Sequence, residues 1–222
     1  MPNTVNIFCI VANNNSADRY YITKILSDKR FVSKAKLERI VCSTTRPMLP
    51  GESEDDFHFV SMNEYENMPD RDIVEFRSYY NLEFGDIYYF TELRQFLGKT
   101  NNLICHASPF QFESYRRWIS TENILRPNSY TVNLISINTK LKKIMLDKVQ
   151  GDVSEENIRE FCRMIIQEDT EYSQASRRIP ELMQPTLCSN VCYIDNNFST
   201  ESDLEANLEK IKAFILKVIN NA

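Results

Sequence analysis

The residues of this chain whose types and spacing could do chemistry are gathered between Ile40 and Phe90. They come as a Ser43-Thr44-Thr45-Arg46 turn, a Gly51-Glu52 pair, the run Phe57-His58-Phe59-Val60-Ser61, the run Ile73-Val74-Glu75-Phe76, and Phe84-Gly85-Asp86. A guanidinium such as that of Arg46 offers a fixed fork of donors to an anion, and a carboxylate such as Glu75 accepts from donors on a ring or an amine. Together they could serve a ligand that offers both an anionic group and hydrogen-bond donors. Little else in the chain points to covalent work. His106 is a lone histidine at the end of an apolar run, with no obvious acid or nucleophile to partner it, and reads as hydrogen-bonded scaffold. The six cysteines (Cys9, Cys42, Cys105, Cys162, Cys188, Cys192) show no repeated pair of the kind zinc sites use, so no metal site is expected.

In order and spacing, the segments between Cys42 and Gly85 resemble the nucleoside-monophosphate-binding segment of guanylate kinases. That family's pattern is a Thr-Thr-Arg turn, a Gly-Glu, a Tyr-x-Phe-Val-Ser, a Glu-Trp and a Tyr-Gly. The resemblance implies that Cys42 touches the guanine edge, that Arg46 grips the monophosphate and that Glu75 pairs with guanine. It is incomplete at the phosphate end. Leu49 stands where the family has a second phosphate-binding arginine, Phe57 and Phe84 stand where it has phosphate-binding tyrosines, and Asp86 replaces a small hydroxyl residue. The implied ligand set is therefore Cys42, Ser43, Arg46, Phe57, Glu75, Phe84, Gly85 and Asp86. Hydrogen bonds to charged groups are worth about 1.5–3 kcal/mol each, so losing three of four phosphate contacts would weaken a monophosphate by several kcal/mol.

The donor side departs further. Where the family keeps its phosphate-binding loop, Gly-x-x-x-x-Gly-Lys-Ser/Thr, this chain has Ala12-Asn13-Asn14-Asn15-Ser16-Ala17-Asp18-Arg19. Such a loop works by turning glycine N–H groups onto phosphate oxygens and adding a lysine. Here the first glycine of the chain is Gly51, Asp18 takes the lysine's place, and Arg19 replaces the magnesium-binding hydroxyl. Asn and Ser side chains could instead cap the following helix, with Ser16 or Asp18 as N-cap. In the lid, Gln150 and Phe161 occupy the slots of the family's arginines, and Arg159 and Arg163 are the possible displaced equivalents.

The resemblance thus implies a guanylate-kinase-like protein without catalysis, holding a guanine nucleotide weakly or a phosphorylated or acidic protein partner. The guanylate-kinase-like domains of membrane-associated scaffolds are similar in losing the phosphate loop and recognising phosphorylated peptides. A second expectation is a working nucleoside-monophosphate kinase with an unorthodox donor site, which alone would call for ATP and magnesium.

The elements that must position these residues are legible from hydrophobic period. Short apolar runs at Val5–Val11, Leu37–Cys42, Asn102–Ala107, Tyr130–Ile137 and Val191–Ile194 read as strands of a parallel sheet. Ile73–Tyr80 and Ile87–Phe90 read as antiparallel strands whose Tyr79, Tyr80, Tyr88 and Tyr89 would form an aromatic patch if several faced one way. Helices are predicted from the three- and four-residue spacing of Tyr21, Ile22, Ile25 and Leu26, over Ser61–Met68 behind a capping box, over Thr91–Leu97 closed by Gly98, and over Pro109–Ile119. Two more follow at Leu141–Lys148 and Thr200–Ile219, and residues 176–185 read as a loop or short helix. The expected architecture is a three-layer α/β domain over residues 1–222. Its core comprises 1–42, 92–147 and 171–222, with a mixed β insert at 43–91 and a helical lid at 148–170.

A chain of 222 residues can bury a core without staples. Its net charge of −5 and pI near 5.2 argue against a general nucleic-acid or membrane-surface protein. Scattered cysteines and the lack of a basic leader or long apolar run lead to the expectation of reduced thiols in a cytoplasmic protein.

Overall fold

The structure is a computed structural model that describes residues 4–12, 15–81, 83–122, 130–139, 177–183, 190–196 and 200–221. Five parallel strands form its first sheet: β1 (Val5–Ala12), β2 (Leu37–Arg39), β7 (Asn102–His106), β8 (Tyr130–Asn138) and β9 (Val191–Asp195), in the spatial order β2-β7-β1-β8-β9. β1 is buried along its whole length, which explains why its sequence is a nearly unbroken apolar run and not an alternating one.

Helices cover both faces. On one side α1 (Asn15–Ser27), α2 (Lys29–Ala35) and α5 (Glu201–Asn220) pack Tyr21, Ile22, Ile25, Phe31, Ile211 and Ile215 against Phe8 and Ile10. On the other, α4 (Pro109–Glu122) and the helical residues 177–182 bring Phe112, Tyr115 and Leu182 against Ile7 and Cys9. α4 starts where it does because Ser108 and Gln111 cap each other: Gln111 N–H donates to Ser108 Oγ and Ser108 N–H to Gln111 Oε1, with Pro109 at the first helical position. α5 starts at the side chain of Thr200, which accepts from Asp203 N–H.

A second, mixed sheet in the order β4-β3-β6-β5 is built from β3 (Ser43–Thr44), β4 (His58–Phe59), β5 (Ile73–Asn81) and β6 (Gly85–Glu92). Between β4 and β5 lies α3 (Met62–Glu66), opened by the expected Ser61–Glu64 capping box. The sequence anticipates a single strand over Leu37–Cys42. Instead the chain leaves the first sheet after Arg39: Ile40 N–H still reaches Ile104 O, but both backbone groups of Val41 are taken by the Gln95 side chain, and by Ser43 the chain belongs to the second sheet.

The expected helix over Thr91–Leu97 is also not formed. Thr91 and Glu92 extend β6 and only a 3₁₀ turn, Leu93–Gln95, follows. Their side chains explain it, because each is engaged in a buried polar seam among β3, β5, β6 and α4. The expected lid, including Arg159 and Arg163, the helix over Leu141–Lys148 and the other lid slots at Gln150 and Phe161 lie outside the described residues.

Candidate functional site

Strand alternation sends one set of β5 and β6 side chains toward the first sheet. In the register Glu75↔Thr91, Arg77↔Tyr89, Tyr79↔Ile87 and Asn81↔Gly85, these positions share a face. Its end nearest the seam is buried. Glu75 Oε1 accepts from Thr91 Oγ1 (3.0 Å) and Gln111 Nε2 (2.8 Å), and Thr91 Oγ1 lies 2.8 Å from the hydroxyl of Tyr115. Ser43 Oγ donates to Glu92 Oε1 at 2.6 Å. Burial pushes the Glu75 carboxyl above the usual range, against hydrogen bonds from Gln111 and Thr91 and the charge of Arg77. Burial likewise pushes the Cys42 thiol up to about 12, so it is an inert neutral group.

Further along the same face a cleft of about 390 Å³ opens between the two sheets. Its walls carry Arg77, Tyr79, Asn81, Ile87 and Tyr89 from β5 and β6, Arg46, Glu52 and Phe57 from the preceding loop, and Arg19 from α1. Its floor is the end of β7 and the start of α4, with His106, Ser108 and Gln111. Among the described residues this lining carries three guanidinium groups and one carboxylate, Glu52, which pairs with Arg46.

Arg46 and Glu52 make a bidentate pair, Nη1 to Oε2 and Nη2 to Oε1, both at 2.7 Å. Glu52 also accepts from Leu49 N–H, while Arg46 donates to Pro47 O and to the Tyr89 hydroxyl and lies over the rings of Phe57 and Phe59. The hydrogen bond from Arg46 holds the Glu52 carboxyl down at about 2. The Thr-Thr-Arg and Gly-Glu elements thus grip each other, closing the loop between β3 and β4.

Arg77 is different. Its Nε and Glu75 Oε2 are both buried without a hydrogen bond and stand 3.9 Å apart. Burial is the strongest single influence on Arg77 and opposes its charge, but Glu75, with Tyr79, Cys42 and Tyr115 adding to it, outweighs burial and the guanidinium stays charged. His106 Nδ1 is also buried with no hydrogen-bond partner. Burial, with Arg19, Arg39 and Arg77 adding to it, pushes the imidazole down to about 4, so it is neutral at pH 7.

Of the residues expected to bind a ligand, Arg46 and Phe57 line the cleft. Cys42, Ser43 and Glu75 are buried beneath it in the seam, so the carboxylate expected to read guanine and the arginine expected to grip the phosphate do not stand at two ends of one open site. Phe84, Gly85 and Asp86 lie at the hairpin turn, away from its lining, and Leu49 is exposed elsewhere, so the cleft's apolar wall comes from Phe57 alone of the three expected residues. In the loop after β1, Ala12 is buried in the strand and α1 already begins at Asn15, which places Ser16, Ala17, Asp18 and Arg19 inside the helix, so Ser16 and Asp18 are not its N-cap. Asn13 and Asn14 lie outside the described residues.

Reading by residue type missed Arg77, Ser108 and Gln111. The available signal was the alternation Glu75-x-Arg77-x-Tyr79-x-Asn81, which puts four hydrogen-bonding side chains on one face of a strand. Three of the four suspected tyrosines, Tyr79, Tyr80 and Tyr89, line the cleft, the rings of Tyr79 and Tyr89 5.8 Å apart, whereas Tyr88 stacks on Tyr65. Among the described residues no three His, Cys, Asp or Glu side chains gather as a metal site would require, and no helix is long and apolar enough to cross a membrane.

No family model matches the sequence, and no curated protein matches it. Among solved structures, the chain resembles the crystal structure of guanylate kinase from Anaplasma phagocytophilum, with a TM-score of 0.50 and 17% identity over 97% of this chain and 86% of that one. The fold is guanylate-kinase-like.

Proposed function

We propose that this protein is a binding protein on a guanylate-kinase-like fold that does not transfer phosphate, and that its cleft takes a ligand with a flat ring and an anionic group. A guanine nucleotide held weakly, or a phosphorylated or acidic peptide side chain, has that form. One observation carries the reading: a cleft of ligand size whose described lining brings Arg19, Arg46 and Arg77 beside the rings of Tyr79, Tyr89 and Phe57. Ring stacking on the aromatics and charge-assisted hydrogen bonds to the arginines are the interactions it offers.

The absence of transfer is inferred from the donor side. Phosphoryl transfer is almost entirely positioning and charge neutralisation by loop, lysine, metal and lid. This chain has no glycine before Gly51, an aspartate in the lysine slot and Phe161 in a lid-arginine slot. The test is calorimetry and thermal shift with GMP, guanosine and a phosphotyrosine peptide, beside a coupled assay with ATP, magnesium and GMP. Binding of at least one anionic ligand with no turnover is expected. Turnover of about 1–100 per second, the ordinary kinase range, would sink the reading. Asp18→Lys alone is expected not to create ATP binding, since a loop without glycine cannot turn its N–H groups onto phosphate.

A further inference from the structure

β5 is the terminal strand of the second sheet, paired with β6 on one side. Among the described residues no backbone hydrogen bond reaches its other edge, so every second N–H and C=O from Phe76 to Asn81 points away from the sheet. Edge strands are usually blunted by shortness, a lysine, a proline or a bulge. β5 runs for nine residues without a lysine or a proline, and its bulge lies at the far end, between Ile73 and Glu75. Burial of Glu75 closes that end. From Phe76 onward the strand is open, with Phe76 55% and Tyr80 74% exposed. The strand's two charged side chains, Glu75 and Arg77, stand 3.9 Å apart and offset each other, so the edge brings no net charge to repel a second strand.

We propose that this edge is where two copies of the chain associate, β5 pairing antiparallel with β5 of the second copy about a two-fold axis at Ser78. The two four-stranded sheets then become one continuous sheet. The pattern of side chains along the strand selects a second copy as the occupant. Residues directly opposite in an antiparallel pair lie on the same face, so a two-fold register centres on one residue. By alternation Phe76, Ser78 and Tyr80 share one face, although Tyr80, near the strand's end, also borders the cleft. Centred on Ser78, Phe76 meets the partner's Tyr80 and Tyr80 the partner's Phe76. These are two aromatic pairs continuing the face on which Tyr88 and Phe90 of β6 pack with Tyr65. On the cleft face Arg77 meets the partner's Tyr79, so each copy sets a ring beside the other's cleft wall. No like charges are opposed. Centred one residue earlier, Arg77 would face its own copy; one residue later, Phe76 would fall opposite position 82, beyond the end of the strand. The open ladder from Phe76 to Tyr80 is short beside the roughly 20–30 residues a side of a standard interface, so the association is weak and rises with concentration. It does not depend on what the cleft binds.

The experiment is sedimentation velocity of the full chain in reducing agent, from micromolar to submillimolar concentration. The weight-average mass is expected to rise from that of the 26.1 kDa monomer toward twice that value. Ser78→Lys, at an exposed position, sets two ammonium groups against each other at the axis. It is expected to weaken association by about tenfold or more while the unfolding midpoint at low concentration stays near that of the parent. Ser78→Cys tests the register. Opposite positions in an antiparallel pair have Cα atoms about 4.5–5.5 Å apart, within the reach of a disulfide. With oxidised glutathione as the oxidant, a covalent dimer is expected whose bond peptide mapping locates at position 78 of both chains. Tyr80→Cys is expected to link far less, because its two copies would lie about 13 Å apart along the ladder. A chain that stays monomeric throughout excludes a second copy as the occupant and overturns the proposal. So does a dimer that Ser78→Lys leaves intact, or cross-linking as ready at position 80 as at position 78.

Discussion

Arg46 is the residue expected to grip a monophosphate, and its donors already engage Glu52, Pro47 and Tyr89. Its first task is to hold the loop between β3 and β4. Removing one member of this pair strands the other, so Glu52→Ala is expected to cost about 1–3 kcal/mol in urea unfolding, with Glu52→Gln milder. The sign of its pH dependence follows from the depressed carboxyl. The pair's contribution is fully present above the unfolded value near 4.5 and is lost as pH falls through about 2. His106 works in a higher window. Its folded-state value of about 4 lies below the ordinary 6.5, so between these the unfolded chain binds a proton that the folded chain does not, and stability drops as pH falls from 6.5 to 4. Unfolding titrations should show that slope in the parent and a flatter one in His106→Asn.

Individual elements rest on local devices that can be removed singly. Ser61→Ala deletes the cap of α3, where Ser61 Oγ accepts from Glu64 N–H and the Glu64 carboxylate accepts from Ser61 N–H. The expected loss is about 1 kcal/mol by chemical denaturation, since the site is exposed and water can replace part of the bonding. Gly85 sits at φ +72° where β6 begins, with nothing within 4 Å of an added Cβ. Gly85→Ala is therefore a purely conformational test, expected to cost about 1–2 kcal/mol. A larger loss would mean that the hairpin positions more of the cleft than its own turn.

At the scale of the molecule, the second sheet is joined by a buried polar seam to α4, which packs its apolar face on the first sheet. Gln111 links three things at once: the cap of α4, the Glu75 carboxylate of β5 and the cleft floor. Gln111→Ala is expected to lower stability by about 2 kcal/mol and to speed amide exchange in β5 and β6 more than in β1 and β8. Uniform acceleration across both sheets would show that the seam does not set their coupling. A second polar network crosses the opposite end of the first sheet, where Asn102, Asn6, Asn133 and Asn190 are linked by hydrogen bonds across four adjacent chain segments.

What the amino-acid sequence determined by itself is whatever depends on a period or a cap within one stretch of chain. The continuous apolar runs of the parallel strands, the stripe of α5 and the capping box of α3 all state local requirements, and each was readable. The order of the segments around Thr45 and Glu75 was enough to suggest the guanylate-kinase-like fold. What only the tertiary structure decided is the partner of each polar side chain. Glu75 was buried in the seam and Arg46 was satisfied by Glu52, while Arg77, Arg19 and His106 were brought together from three elements far apart in sequence. A charged residue pairs with whatever the fold places within hydrogen-bond reach, and that distance is not a property of spacing along the chain. The same reason explains Thr91 and Glu92. Their local pattern suits a helix, but a buried hydroxyl and a buried carboxylate must find partners, and only an extended strand delivers them to Glu75 and Ser43.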